Sequence, residues 1–243
     1  MNSADEHLIF DQLRLFGGYQ VYPNEIGFVE VLSYMDLEIC LSAHPNWKNI
    51  KKQPPLLVYD CPEFFNHPDL TDYFCENCDS EQHKNMICHG LNGREGIDDN
   101  GHKRHYRLVV FSAIDPSQPI AFAAFDVDLK EGTTSPDEEL PVKNINCRCE
   151  FLYAYVLKEY RNLGVGAMLG YTMGSLFWQQ ILFLLNQIEG TESAVCPMIM
   201  SDSFTRGGEE IMKNLLREVK MFSKAERAAG IIDHLGKPQV IAN

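Results

Sequence analysis

Two stretches of this chain carry residue types at spacings that can do chemistry. The first is Glu150-Phe151-Leu152-Tyr153-Ala154-Tyr155-Val156-Leu157-Lys158-Glu159-Tyr160-Arg161-Asn162-Leu163-Gly164-Val165-Gly166-Ala167. An aromatic-rich run of strand character reaches a turn with two glycines, and an apolar helical run follows. Glycine lets backbone approach a ligand closely, and the free N–H groups of a helix's first turn attract anions. A diphosphate suits such a turn. The second stretch is Cys75-x2-Cys78-x4-His83-x4-Cys88. Three thiolates and an imidazole at this spacing form the donor set of a zinc knuckle and suit tetrahedral Zn²⁺.

Each stretch has competing readings. The glycine turn is not a dinucleotide fingerprint, because Leu169 stands where Gly-x-Gly-x-x-Gly needs its third glycine. It is not a Walker loop either, since no Gly-Lys-Ser/Thr follows. A plain helix entry is the bland alternative. For the Cys/His segment the alternative is a set of reduced, half-buried cysteines. The span from Cys78 to Cys88 lacks the glycines that let knuckles fold tightly, and Glu76, Asp79 and Glu81 replace the basic and aromatic residues that would contact RNA. His89, Cys147 and Cys149 are further candidate ligands. A zinc ion held there is expected to pin the N-terminal region and to do no chemistry.

The elements that must position these residues follow from periodicity. Short strand-like runs (Tyr19 to Tyr22, Gly27 to Leu32), a break at Pro54-Pro55 and the residues Leu56 to Tyr59 precede a polar, helical or irregular segment from Pro62 to Lys84 and a solvated loop from Gly90 to Gly101. Tyr106 to Ile114 and Ile120 to Leu129 make a hairpin about the turn Asp115 to Pro119. After an acidic loop, Glu131 to Leu140, come a strand from Cys149 to Leu157, a helix from Gly166 to about Gln187, a strand from Ala194 to Met200 and a helix from Gly208 to Phe222. Ile231-Ile232 and Val240-Ile241 are expected to form a closing hairpin. This order predicts an α/β layer architecture, with residues 1–101 as an N-terminal region and 102–243 as the core.

Composition narrows the partners. The 243 residues are 45% hydrophobic and 11% aromatic, enough for one large domain with a core and too apolar for disorder. Lys and Arg number 21 against 34 Asp and Glu, a net charge of -13, which argues against nucleic acid as a partner. Met1 to His7 has neither a basic nor an apolar region, so no signal peptide is visible. The apolar run Leu176 to Leu185 is interrupted by Gln179 and Gln180 and falls short of the ~20 residues of a membrane span. Cys-x-x-Cys and Cys-x-Cys clusters point to thiols or metal ligands in a reducing cytoplasm.

Arg161-x-x-Gly164-x-Gly166-Ala167, behind an aromatic strand and a hairpin, resembles the acyl-CoA-binding motif of the GNAT superfamily of N-acetyltransferases. The likeness spans Arg104 to about Phe222. It implies a mixed, centrally splayed sheet flanked by helices, with acetyl-CoA as cosubstrate. It further implies that N–H groups from Asn162, Leu163, Gly164, Val165, Gly166 and Ala167 grip the diphosphate. The strand through Tyr153, Ala154, Tyr155 and Val156 would pair with the pantetheine arm. Glu150 lies eleven residues before Arg161, where the histone-acetyltransferase branch carries its general base. The family's usual acid, a tyrosine on the last helix, has no counterpart after Tyr171, so Ser201, Ser203, Thr205 or water must serve. The expected acceptor is an amine: a protein lysine, a polyamine or another cationic small molecule, drawn by Asp126, Asp128, Glu131, Asp137, Glu138 and Glu139. The rival is a catalytically silent acyl-CoA-binding adaptor that grips a partner through its Cys/His region. An oligomer is compatible with either.

Overall fold

The computed structural model describes residues 10–17, 29–32, 56–60, 68–85, 87, 96–97, 100–112, 118–132, 143–201, 205–230 and 234–242. The strands are β1 (Val29–Leu32), β2 (Leu56–Asp60), β3 (Gly96–Ile97), β4 (Lys103–Ser112), β5 (Pro119–Gly132), β6 (Lys143–Val156), β7 (Ser193–Ser201) and β8 (Gln239–Ala242). The helices are α1 (Pro68–Glu76), α2 (Glu81–Asn85), α3 (Val165–Gln187) and α4 (Arg206–Ala228). All eight strands join one sheet in the order β1-β2-β4-β5-β6-β7-β8, with β3 added on β4. The pairs from β1 to β6 are antiparallel, while β6–β7 and β7–β8 are parallel. The result is the mixed α/β sheet flanked by helices that the sequence predicts.

At the C-terminus Val240 and Ile241 form β8, which runs parallel to β7, with Val240 opposite Ile199 and Ile241 opposite Met200. Helix α4 lies between the two strands in the chain, and such a crossover returns the chain in the same direction. Ile231 and Ile232 lie outside the described residues, as do the turn residues 115–117 and the loop 133–142.

Each face of the sheet has its own core. On one, α3 and α4 pack over Leu108, Val110, Ala123, Phe125, Cys147, Cys149 and Phe151. On the other, Leu70 and Phe74 of α1 pack with Val109, Phe111, Phe122 and Tyr155. The glutamine that interrupts the apolar run of α3 has a structural task. Buried Gln180 accepts from the Phe16 N–H at 2.7 Å and donates to the Tyr106 hydroxyl at 2.6 Å, and Gln187 clasps Arg14 in the same way. These amides tie residues 13–17 along the helix as a surrogate strand would. Among the described residues, no helix is long and apolar enough to cross a membrane.

Helices α3 and α4 approach closely over Gly170 and Gly174. A methyl group built on Gly174 would stand 2.8 Å from the Glu218 Cβ. Glu218 is itself only 3% exposed, and burial raises its carboxyl pKa more than Arg217 lowers it. An acid with a raised folded pKa binds more protons folded than unfolded, so its contribution to stability falls as pH rises through that window. Glu218→Gln is therefore expected to gain melting temperature relative to wild type as pH is raised from 4.5 to 8. Parallel melting curves across that range would contradict it.

Candidate functional site

Strands β6 and β7 pair from Lys143/Ser193 as far as Glu150/Met200, and there the ladder stops. Strand β6 nevertheless runs on to Val156, while β7 ends at Ser201. The ladder between them ends at Glu150, and among the described residues Phe151 to Val156 have no partner on β7. Just past this point β6 bulges. Tyr153 faces Ala124 and Phe151 faces Phe125, so Leu152 has no opposite residue on β5.

The bulge changes which side chains face which core. Ile145, Cys147, Cys149 and Phe151 point to α3 and α4, whereas Tyr153 and Tyr155 point to the α1 side. Strand alternation then places Glu150 on the α1 side together with both tyrosines. Beyond the bulge the Leu157 N–H donates to the Ile120 carbonyl of β5 at 3.0 Å. Polar groups of successive strand residues point to opposite edges, so those of Val156 and Ala154 turn toward the gap. The Val156 carbonyl accepts from Arg161 Nε at 2.9 Å, leaving Ala154 as the residue whose N–H and C=O can pair with an extended ligand.

At the end of β6 a short 3₁₀ turn (Lys158–Tyr160) leads into Arg161–Gly164. Asn162 and Gly164 both have positive φ, 60° and 88°, which aims the chain sharply into α3. Gly164 is the N-cap of α3; it offers no capping side chain, and no acid occupies the first turn. Helix α4, by contrast, has its Gly208 N–H capped by the Thr205 hydroxyl at 3.3 Å. The amides of Val165, Gly166 and Ala167 are thus left for an anion. Gly166 has room around it: an added Cβ would meet Ile211 Cγ1 at 3.5 Å, an ordinary contact.

Glu150 lies in a cross-sheet row of paired positions, His105–Asp126–Glu150–Met200. Its neighbour Asp126 is 1% exposed and is held by His105 Nδ1 at 2.8 Å, Lys103 Nζ at 3.1 Å and Arg107 at 3.3 Å. Burial alone would raise the Asp126 pKa, but the His105 hydrogen bond and the charges of His105, Arg107 and Lys103 bring it below its ordinary value. Asp128 is paired with Arg148, whose Nε donates at 2.8 Å. These two acids are neutralised within the sheet. They do not form the open cation-attracting surface that the sequence suggests. Asp137, Glu138 and Glu139 lie outside the described residues, and Glu131 is exposed on β5.

Of the Cys/His segment, Cys75, Cys78 and His83 lie within the described residues and stand in three different settings. Cys75 is disulfide-bonded and so is not a reduced thiol. His83 turns Nδ1 to Asp79 at 2.9 Å. Cys78 is a free thiol whose pKa burial pushes up, and Cys88 and His89 lie outside the described residues. Cys147 and Cys149 are buried on the α3 side of β6, which the sheet separates from α1. Among the described residues no group of three or more His, Cys, Asp or Glu could hold a metal ion.

What the segment does instead is contact the turn. Asp79 accepts from Arg161 Nη1 at 2.6 Å and from the Tyr155 hydroxyl at 3.1 Å, and its N–H lies 3.1 Å from that same hydroxyl. The hydrogen bond from Arg161, then that from His83, holds the Asp79 carboxyl well below the usual carboxylate range. The guanidinium also sits 5.3 Å above the Tyr155 ring. Asp79 is 82 residues from Arg161, and no local pattern announces the pair.

No family model and no curated protein matches this chain. Among solved structures, the aminoglycoside antibiotic 6'-N-acetyltransferase AAC(6')-Ih from Acinetobacter baumannii is similar to it. The match has 12% sequence identity and a TM-score of 0.30, and covers 72% of this chain and 89% of that one.

Proposed function

We propose that the chain is an acyl-CoA-dependent N-acetyltransferase that moves an acetyl group from acetyl-CoA to an amine by direct transfer in a ternary complex. One observation carries this reading. The β6–β7 ladder ends at Glu150, and the remainder of β6 leads into the N-terminus of α3, which has no side-chain cap. That geometry offers strand-like pairing for a pantetheine arm at Ala154 and an anion site for a diphosphate at Val165, Gly166 and Ala167, as the motif resemblance implies.

In this mechanism Ala154 N–H donates to the thioester carbonyl as charge develops on its oxygen. Glu150, at the mouth of the gap, takes a proton from the acceptor ammonium, directly or through water, which frees the nitrogen lone pair. Nitrogen then bonds to the acetyl carbon as the carbon–sulfur bond breaks, and CoA leaves as a thiolate. The nitrogen sheds its second proton as the amide forms, and the thiolate is protonated in turn through water or a nearby hydroxyl. Thr205 keeps its own O–H available, because its oxygen serves the α4 cap as an acceptor. With Asp126 and Asp128 neutralised, Glu150 is the described carboxylate that would meet a cationic acceptor.

Gly166→Trp is expected to abolish acetyl-CoA binding in a folded protein, because the indole fills the place of the diphosphate. Calorimetric titration checks this, and wild-type affinity in the variant would remove the turn as the site. The activity test is incubation with labelled acetyl-CoA and a panel of amines: a lysine peptide, a polyamine and an aminoglycoside. Acceptor-dependent label transfer with matching thiol release is expected. Binding of acetyl-CoA with no transfer to any amine would favour the adaptor reading, which the lack of a tyrosine on α4 supports.

A further inference from the structure

We propose that Asp79 is a positioning residue for the cofactor turn, acting through Arg161, and that the segment 77–85 serves as its mount. The proposal rests on the cofactor reading above.

Arg161 links the turn back to its own strand. Its Nε holds the Val156 carbonyl, five residues earlier, so the guanidinium fixes where β6 ends and how the chain enters Asn162 and Gly164. Those two positive-φ residues in turn aim the first amides of α3. A long side chain leaving a turn has rotamer freedom to lose, and a carboxylate fork is an effective way to hold it. Asp79 supplies that carboxylate at 2.6 Å.

Asp79 is itself fixed from three sides. Tyr155 meets its carboxylate and its N–H, His83 meets the same carboxylate oxygen, and the His83 ring lies 5.1 Å from the Tyr155 ring at 63°. Helix α1 is anchored beneath by Phe74, which is fully buried and stacks edge-on against Phe122 and Tyr155. The helix pair therefore presents one carboxylate to one guanidinium.

Two effects oppose each other when Asp79 is changed. Losing the mount loosens the turn, whereas losing a negative charge favours an incoming anion. Asp79 is about a third exposed, so solvent screens its charge, and the positional effect is the larger. Calorimetric titration of CoA into wild type, Asp79→Ala and Asp79→Asn separates them. Asp79→Ala is expected to weaken CoA binding about tenfold, while Asp79→Asn, which keeps an acceptor oxygen for Arg161, recovers most of the affinity. In steady-state assays the loss should fall on KM for acetyl-CoA, with kcat at saturation changed less than about twofold. Circular dichroism establishes that each variant is folded. Unchanged binding by folded Asp79→Ala overturns the proposal and leaves the cofactor reading intact. Tighter binding by either variant also overturns it, and makes Asp79 a competitor of the phosphate. Failure of the wild type to bind CoA overturns both readings together.

Discussion

Glu150→Gln is expected to bind acetyl-CoA as the wild type does while losing roughly 10²–10⁴-fold in kcat. The residue occupies the last rung at which β6 and β7 are joined, on the face shared with Tyr153 and Tyr155. A base placed there meets an acceptor entering the gap. The amide is isosteric but cannot take a proton, so acceptor ammonium must lose its proton to bulk water before attack. The deficit should be greatest near neutral pH and should shrink as rising pH supplies free amine. A variant whose pH–rate profile superimposes on that of the wild type would remove Glu150 as the base. Neighbouring Asp126 is a poor substitute, because His105, Lys103 and Arg107 already occupy its carboxylate.

Gly170→Ala should be the most damaging single-methyl change in the helical layer. The added Cβ would stand 2.4 Å from the Ile211 carbonyl oxygen and 2.8 Å from the Asn214 Cβ. No side-chain rotation relieves a clash with backbone, so α4 must move away from α3. Overpacking of this kind costs ~1–3 kcal/mol or more, and the gain of about 1 kcal/mol in helix propensity offsets only part of it. A net loss of about 2 kcal/mol in urea unfolding is expected. Gly166→Ala, one helical turn earlier, makes only an ordinary 3.5 Å contact and serves as the control. Equal stability of Gly170→Ala and wild type would show that the helices are not held together at this point.

Legibility in the sequence followed the range of the interaction. The hairpin, the strand into the glycine turn and the two long helices depend on local periodicity, and the structure has them in the order read. The N-terminal half of β6 was less plain. Ile145, Cys147 and Cys149 alternate with Asn146 and Arg148, a period-two pattern that its polar members and the preceding acidic loop conceal. The bulge at Leu152 is invisible to pattern reading, since it depends on what β5 offers opposite. Gly166, Gly170 and Gly174 stand at four-residue intervals, a spacing that signals close helix approach once the helix is recognised. Spacing does not tell the roles of the Cys/His residues apart, because the same residue types serve a disulfide at Cys75, a free thiol at Cys78 and a ring beside a carboxylate at His83. The link from Asp79 to Arg161 joins distant segments through tertiary packing; Arg161 belongs to a local motif, but nothing in the sequence around Asp79 points to it.

The most direct measurement of the central claim is hydrogen exchange of the wild-type chain with and without acetyl-CoA, run beside a calorimetric titration. One molecule of acetyl-CoA per chain is expected, with slowed exchange concentrated from Ala154 to Ala167, where the strand edge and the first amides of α3 receive the ligand. Absence of heat at millimolar acetyl-CoA, or protection that leaves this stretch untouched, would contradict the assignment.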